Sequence, residues 1–501
     1  MKMLVSTTSR TLLVLVFCIA GSASAQPASI NAEQNMDLGQ VIELLRQQQA
    51  EMASQRKLLQ AQSEQITGLK HELDSLRGPG AVEQAAQAQQ AQVATRPVEE
   101  QPAPEILASD TRTKQQLDAE TEKRVSDAQV DDPTQDLLTR LPGAWRLPGT
   151  DAAFRIGGYV KSSAVYNQDP LAIKDRFIVG SIPVSEVSES NPQAQSSITA
   201  SQSRLNFDMR EPTKYGILRA FIEGDFAEDN DTFRLRHAFG QWRQVLAGKT
   251  WSTFVDTEAS PEEVDFEGLN GRVNVRQSQV RIMPTLGDAY QFKFSLEDPN
   301  PQVQNGDGVT RMPDIVASAS FQPNARLHLR TALIARQIRA QQSESFGRGV
   351  EKEYGWGLSL SGRFITPRFG ERDSLLFQLN GGSGIGRYIN DLSSVGNFDG
   401  VFNPANGELE LFDVLAGYAS WQHWWSGTLR SNFTFGIVDV DNPGFVSGDA
   451  YQRTMRFSSN LLWSPTPRIN LGLEYLWGSR ENENGADGDA QQLQMAAQYS
   501  F

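Results

Sequence analysis

The residues of this chain best suited to chemistry are lysines and arginines that recur at every second position. In SRLNFDMR, residues 203–210, polar side chains alternate with Leu205, Phe207 and Met209, which is the period of a β-strand with one polar face. The same parity along the chain places eight basic residues on polar faces: Lys161, Arg204, Arg210, Arg219, Arg234, Arg236, Lys249 and Lys293. Because a guanidinium group binds a carboxylate through two parallel hydrogen bonds, such a row is suited to holding an organic anion.

A plainer interpretation of the same residues stays open. They could be ordinary solvated side chains whose charge is neutralised by the carboxylates on the same faces, which are Asp208, Glu223, Asp225 and Glu297. The stretch RLR at 234–236 favours a function, because it places two cations on one face.

Parity does not settle the segment 272–283. The valines at its start fall on the face opposite to Val280 and Ile282, which predicts a β-bulge between them. Arg276 is therefore a candidate for the basic row, but whether it or Arg281 faces the same way as the others stays open.

The alternating pattern begins near residue 151 and recurs in roughly sixteen segments up to Phe501. The connections between these segments alternate between short and long, which is typical of an outer-membrane barrel with tight turns on one side and long loops on the other. For 151–501 we predict an all-β fold, a transmembrane antiparallel β-barrel of about 16 strands. The last strand should pair with the first, so that no edge is left open.

The composition agrees with a barrel that is apolar outside and wet inside. In lipid every backbone amide must be paired, so a sheet has to close on itself. The mean hydropathy of −0.42 is too low for a helical membrane protein. Tryptophans lie beside short turns, where a barrel crosses the headgroup region; they are Trp421, Trp424, Trp425 and Trp463.

Residues 1–25 read as a secretory signal peptide. Lys2 and Arg10 precede or begin a short apolar run, and Ala23-Ser24-Ala25 forms a small-residue cleavage site. The only cysteine, Cys18, lies inside this segment, so the mature chain should have no disulfide and no thiol nucleophile.

The segment 26–80 is predicted to be an α-helical coiled coil in the periplasm. Two rows of residues repeat every seven positions from Leu38 to Leu76, which is the a/d seam of a heptad pattern. The stretch GPG at 78–80 ends it, and 81–150 is rich in Ala, Gln, Glu and Pro. We predict a flexible, mostly disordered linker there.

Other chemistries find little support. The histidines His71, His237, His328 and His423 do not have metal-ligand spacing, and no cofactor is predicted. A barrel enzyme would need a Ser–His pair at the lipid edge; His237 and His423 fall on outward faces, but no serine partner can be assigned. We predict that the chain is not an enzyme. The formal charge of −14 argues against nucleic acid as a partner.

The stretch LPGTDAAFRIGGYVKSSAVY, 147–166, resembles the start of the barrel in DcaP-like outer-membrane porins. ASQSRLNFDMREPTKYGILRAFIEGDF, FRLRHAFGQWRQVLAGKTWSTFVD and VNVRQSQVRI are similar to the strands that follow in that family. The resemblance covers most of 147–501 in layout. It implies a homotrimer of sixteen-stranded channels with a periplasmic coiled coil, and uptake of small organic anions such as dicarboxylates.

The loop 255–271, VDTEASPEEVDFEGLNG, is the third long connection and carries acids without a base. Its carboxylates are Asp256, Glu258, Glu262, Glu263, Asp265 and Glu267. In trimeric porins the third loop folds into the barrel and narrows it. If it does so here, acids facing the basic row would create a transverse field; an exposed acidic loop is the alternative, and the sequence leaves both open.

The resulting hypothesis is a porin in the outer membrane of a Gram-negative bacterium that passes small hydrophilic solutes by diffusion and favours organic anions. Its partners would be lipid and lipopolysaccharide. A general or sugar-type porin is the main alternative, although a sugar channel needs a ladder of aromatics along the lumen. A further alternative is a barrel whose coiled coil tethers the outer membrane to the periplasm.

Overall fold

The computed structural model describes residues 141–169, 171–184, 194–228, 231–342, 349–368, 370–396 and 399–501. The predicted signal peptide, the coiled coil and most of the linker lie outside these residues. The remainder of the linker, 141–150, contains a two-residue strand, Trp145–Arg146, that pairs with Ala153 and Phe154. This strand precedes the predicted boundary at 151.

Sixteen antiparallel strands form the wall of a closed barrel. Each pairs with the next, and the last pairs with the first between Asn167↔Gln492 and Tyr159↔Ser500. This confirms the predicted all-β barrel of sixteen strands. The strands are β1 (Ala153–Asn167), β2 (Arg204–Thr213), β3 (Gly216–Asp225), β4 (Arg234–Trp242), β5 (Val245–Trp251), β6 (Arg276–Ile282), β7 (Tyr290–Glu297), β8 (Asp314–Asn324), β9 (Leu327–Gln342), β10 (Val350–Ile365), β11 (Ser374–Ser383), β12 (Asp413–Trp424), β13 (Leu429–Asp441), β14 (Tyr451–Thr466), β15 (Ile469–Asn482) and β16 (Asp487–Ser500).

Short elements complete the described residues. Gln195–Thr199 extends β2 along β1, and Thr285–Leu286 and Gly306–Gly308 pair with wall strands. Val303–Gln304, Gly400–Phe402 and Leu409–Leu411 form a separate three-stranded sheet. The helices are α1 (Asn390–Ser394) and two 3₁₀ turns, Val179–Ser181 and Gly386–Tyr388. None of the described helices is long and apolar enough to cross a membrane.

Side chains alternate between the two faces of the wall as a membrane barrel requires. On β10, Trp356 and Leu358 are exposed on the outside, whereas Ser359 and Ser361 are buried inside. In the register of the sheet, inward residues pair with inward residues and outward residues with outward ones. Each row of paired residues therefore stays on one face around the barrel. The long connections 168–203, 252–275 and 384–412 all leave from one end of the barrel, which we call the long-loop end.

The interior is not polar throughout, in contrast to the predicted wet lumen. A buried apolar cluster inside the barrel joins loop residues such as Phe254, Tyr388 and Ile389 to wall residues such as Ile334 and Val438. The loops 252–275 and 384–412 lie against this part of the wall. Their apolar side chains can be buried only where wall strands also direct apolar side chains inward. The solute path is thereby confined to the rest of the interior.

Candidate channel and its constriction

One side of the interior is lined by arginines from consecutive strands. We call the following residues the arginine wall: Arg155 on β1, Arg204 and Arg210 on β2, Arg219 on β3, Arg234 and Arg236 on β4, and Arg276 at the start of β6. β1 to β4 are consecutive neighbours in the barrel wall, so alternation on each strand brings these residues to a common surface. The inward carboxylates of the same four strands are Asp208, Glu223 and Asp225.

The arginines nearer the short turns gather around one carboxylate. Asp208 is fully buried and accepts two hydrogen bonds from Arg219, at 2.9 and 3.0 Å. It also accepts two from Arg210, at 3.2 and 2.9 Å, and Arg155 lies opposite it in the register. In this group, which we call the turn-end group, Arg155, Arg210 and Arg219 thus lie around one carboxylate.

A second group lies nearer the long-loop end. Arg234 donates twice to Asp225, at 2.9 and 3.0 Å, and Arg236 donates to the same carboxylate at 2.7 Å. Glu223 accepts from Arg204 at 3.3 Å and lies 3.6 Å from Arg236. In this loop-end group Glu223 and Asp225 lie among three arginines, and Glu228 lies a further 3.9 Å from Arg234.

A β-bulge explains how Arg236 joins the group. Glu223 is paired with His237 and Gly224 with Leu235, so Arg236 is an extra residue with no opposite number. Both Arg236 and His237 consequently face inward, and His237 contacts the Thr250 hydroxyl at 3.0 Å. The predicted outward orientation of His237 is therefore wrong, because strict alternation does not hold across a bulge.

The sequence leaves open which of Arg276 and Arg281 faces inward. Residues 272–275 are not part of a wall strand; Val273 bridges to Ile389 within the loops. Arg281 lies inside with 1% exposure. Arg276, at the start of β6, lines one cavity with Arg234 and Arg387 and stacks 4.4 Å from the ring of Trp251, which packs against the interior cluster. The change of phase in 272–283 thus marks the end of a loop rather than a bulge in the wall.

Three predicted lysines lie in different places. Lys161 is buried inside and donates from Nζ to the Val264 carbonyl at 2.8 Å. Lys293 is paired with the inward Ser318. Lys249 is paired with Ala238 and Ser278 at the long-loop end of β5 and β6, and it lines one cavity with Arg234 and Arg276.

The loop 252–275 lies inside the barrel and follows the wall opposite the arginines. Its residues reach β9, β12, β13, β14 and β15 in turn before the chain returns to β6. Tyr418 on β12 donates to the Ala259 carbonyl at 3.1 Å, and Asn380 on β11 donates to the Gly271 carbonyl at 3.0 Å. The sequence leaves open whether this loop folds into the barrel or is exposed. In the structure it lies inside the barrel.

The acids of this loop are bound by basic residues of the far wall. Arg430 donates to both oxygens of Glu262, one of them at 2.9 Å. Arg456 donates to Glu263 at 2.5 Å and to Asp265 at 3.4 Å. Glu263 and Asp265 share one arginine, so the basic residues of the far wall neutralise the acids of this loop only in part.

The tip of the loop is fixed by a carboxylate on β15. Glu474 is fully buried and accepts the backbone N–H groups of Val264 and Asp265 at 2.8 and 2.6 Å. Asn460 also donates to it at 3.1 Å. Two N–H groups that would be unsatisfied inside the barrel are thereby paired, which holds the loop against the wall.

Asp256 and Glu258 begin the loop and contact β9. Burial would raise the pKa of the Asp256 carboxyl, but His328 at 2.9 Å, Arg330 and the Ser361 hydroxyl together hold that pKa well below its usual range. Glu258 lies 3.6 Å from the same histidine. At the other end of the loop, burial raises the pKa of Glu267, which accepts a hydrogen bond from Ser394.

Some functional positions escaped the sequence reasoning. Arg155 has the parity of Lys161 and could have been found, had the glycines after it not broken the pattern. Arg330, Arg430 and Arg456 stand on well-formed strands, but only the position of the loop reveals that they bind its acids. Phe266 of the loop lies over the guanidinium groups of Arg234 and Arg236, 5.7 and 5.9 Å from the ring centre, so the loop contacts the loop-end group of the arginine wall.

A closed sixteen-stranded barrel that is apolar outside, with a charged interior narrowed by an inserted loop, defines a porin-like channel of the outer membrane. Residues 149–501 match the family model described as DcaP outer membrane protein. The chain therefore belongs to this family, as the resemblance of its first strands indicates.

Solved structures agree with the fold. The outer membrane channel DcaP of Acinetobacter baumannii is 19% identical with a TM-score of 0.62, over 72% of this chain and 100% of that one. An anion-selective porin from Comamonas acidovorans is 11% identical with a TM-score of 0.48, over 70% and 100%. OmpT of Vibrio cholerae is 11% identical with a TM-score of 0.46, over 71% and 99%. No significant match to a curated protein sequence was found.

Proposed function

We propose that this outer-membrane porin favours small organic anions, such as dicarboxylates, over cations and neutral solutes. One observation carries the proposal: the seven arginines of the arginine wall outnumber the carboxylates among them, while four carboxylates of the inserted loop pair with Arg430, Arg456 and His328 on the opposite side. An anion in the channel therefore meets surplus positive charge on one side and partly neutralised acids on the other.

The two groups of the arginine wall suit a solute with two carboxylates. The turn-end group surrounds Asp208 and the loop-end group surrounds Glu223 and Asp225, one above the other along β2 and β3. Arg276 adds a guanidinium whose buried Nη1 has no hydrogen-bond partner among the described residues. A carboxylate can exchange between such groups without ever losing charge-assisted hydrogen bonds.

The test is the reversal potential of the purified porin in planar bilayers under a KCl gradient. We expect an anion-selective channel whose current is blocked by a millimolar linear dicarboxylate. Arg236→Gln should lower the anion-to-cation permeability ratio roughly twofold, since one charge at about 8 Å in water is worth about 0.5 kcal/mol. Arg453→Gln is the matched control, because Arg453 pairs with Asp439 and Glu481 on the outward row.

A cation-selective channel that dicarboxylates leave unchanged would defeat the proposal. A general or sugar-type channel is the second candidate, and the inward aromatic pair Phe221 and Phe239, 5.5 Å apart, favours it. Arg219 stacks on both rings, at 4.9 and 5.4 Å, so they already serve a cation. Partial block by a neutral oligosaccharide, with no effect of dicarboxylates, would support this second candidate.

The assembly that we propose is a homotrimer in contact with lipid and lipopolysaccharide, with the predicted coiled coil of 26–80 in the periplasm. The heptad pattern and the resemblance of this chain to DcaP-like porins support this proposal.

A further inference from the structure

A second cavity opens at the long-loop end, away from the arginine wall. It has a volume of about 430 Å³, within the range of small-molecule sites. We call it the loop cup. It lies between the connection 384–412, the connection 442–450 and the upper ends of β13, β14 and β15.

The floor of the loop cup is closed. Leu392, Val401, Phe412, Val440 and Tyr451 line it and also belong to the buried interior cluster, with exposures of 1 to 6%. That cluster fills the barrel beneath them. A solute in the cup therefore has no path downward, and the cup is suited to binding rather than conduction.

The cup combines an apolar surface with two opposite charges. Phe445 and Val446 add to the apolar side from the connection above. Arg480 and Asp449 line the same cavity, and Asp449 is one of the charges that act on Arg480. No ion pair within 4 Å joins Arg480 to Asp449 among the described residues, and both line the cavity, so one ligand can contact both charges.

Arg480 is held in place by the barrel. Its Nη1 donates to the Gly180 carbonyl at 2.7 Å and its Nε donates to Asn482 at 3.1 Å. The guanidinium lies 5.9 Å from the ring of Tyr451. Because the Arg480 side chain is already held in one geometry, it loses little conformational entropy when a carboxylate binds it.

We propose that the loop cup binds a zwitterionic α-amino acid with an apolar side chain. The α-carboxylate would bind Arg480, the ammonium group would bind Asp449, and the side chain would occupy the apolar floor. A ligand with only a carboxylate would place apolar atoms beside Asp449. A ligand with only an ammonium group would leave Arg480 without a carboxylate to bind. Only a ligand with both charges complements the cavity.

The experiment is calorimetric titration of the purified full chain in detergent with three matched probes. L-Phenylalanine should bind saturably. Its analogues 3-phenylpropanoate, which lacks the ammonium group, and 2-phenylethylamine, which lacks the carboxylate, should each bind at least about tenfold more weakly, because each loses a charge-assisted hydrogen bond. Equal binding of any analogue, or no binding of L-phenylalanine, would overturn the proposal.

Variants locate the site. Asp449→Asn should abolish the preference for L-phenylalanine over 3-phenylpropanoate, and Arg480→Gln should abolish the preference over 2-phenylethylamine. The exposed Asp487→Asn and the outward Arg453→Gln are controls at the same end of the barrel and should leave all three affinities unchanged. If Arg480→Gln does not fold, Arg480→Lys replaces it, with weakened rather than lost discrimination.

The proposal does not depend on anion selectivity. Binding is measured without ion flow, and none of the residues concerned belongs to the arginine wall. Loss of amino-acid binding with an unchanged reversal potential would overturn only this inference.

Discussion

At the scale of the residue, shared carboxylates organise the channel. Asp208 receives four hydrogen bonds from two arginines, and Asp225 receives bonds from two others. Each arginine is held in one geometry, yet the positive charge is only partly cancelled. A single carboxylate in this position therefore sets both the shape and the field of the channel surface.

Removal of the Asp208 charge should increase anion selectivity. In Asp208→Asn, Arg210 and Arg219 keep their charge while the carboxylate that offsets them is gone. We expect the anion-to-cation permeability ratio to rise roughly twofold, by the same estimate of about 0.5 kcal/mol per charge at about 8 Å. Reversal potentials in planar bilayers measure it.

Asp439→Asn is the matched control for this prediction. Asp439 is paired with the exposed Leu415 in an outward row, so its loss should leave selectivity unchanged. A decrease in anion selectivity for Asp208→Asn, or an equal change in both variants, would contradict the role given to the arginine wall.

Alternation in the sequence was enough to predict the inward faces of β2 and β3. It failed at His237 for a physical reason: the backbone parity is set by pairing with the neighbouring strand, not by side-chain polarity. The extra residue at Arg236 follows from the register of β3 and β4, which a single segment does not encode.

At the scale of the element, the short helix α1 joins three loops. The Asp391 carboxyl accepts hydrogen bonds from the Gly180 amide and from the hydroxyls of Tyr451 and Thr454, each at 2.8 Å. Asn390, beside it, donates to the Leu269 carbonyl of the inserted loop at 3.0 Å. The helix thus connects the first, third and sixth long connections to the wall.

Stability at this joint should depend on pH. Burial raises the pKa of Asp391 above the ordinary aspartate value of about 3.9, although Gly180, Thr454, Tyr451 and Arg480 favour its charged form. The folded state therefore binds a proton at a pH where the unfolded chain does not, so this carboxyl favours folding more strongly as the pH falls towards 4.

Thermal unfolding of the wild type and Asp391→Asn between pH 7 and pH 4 tests the sign. The melting temperature of the wild type should rise relative to that of the variant as the pH falls. Asp413→Asn, at an exposed carboxylate, should show no such trend relative to the wild type. A difference between wild type and Asp391→Asn that is constant with pH would contradict the prediction.

The position of the inserted loop could not be read from its own residues. Six acids without a base suit an exposed loop as well as a buried one. Arg430 and Arg456, which bind these acids, and Glu474, which accepts backbone N–H groups of the loop, lie some 170 to 210 positions further along the chain. Nothing local in either segment signals the pairing.

At the scale of the whole molecule, closure of the ring is the decisive property. β16 pairs with β15 over thirteen positions and with β1 over nine. In lipid an unpaired backbone amide costs several kcal/mol, so the wall is stable only as a complete cylinder. The period-2 pattern and the alternation of loop lengths contain this information, which is why the sequence predicted the barrel better than its contents.

A chain that ends at residue 486 should fail to form a barrel. Loss of β16 exposes one edge of β1 and one of β15. We expect no compact, heat-modifiable band in unheated SDS gels after refolding into detergent. Met495→Ala is the control, since it keeps every backbone pair of β16, and it should fold. A compact band from the truncated chain would show that the ring can close on fifteen strands.

The single inserted residue at Arg236 also bears on how such proteins diversify. An odd insertion in the middle of a strand would exchange lipid-facing and water-facing side chains along its whole remaining length. Here the change of phase falls close to the rim, so only Arg234 and Leu235 lie beyond it on β4. An insertion of one residue at this position can thus change the side chains that line the interior without reversing those that face the bilayer.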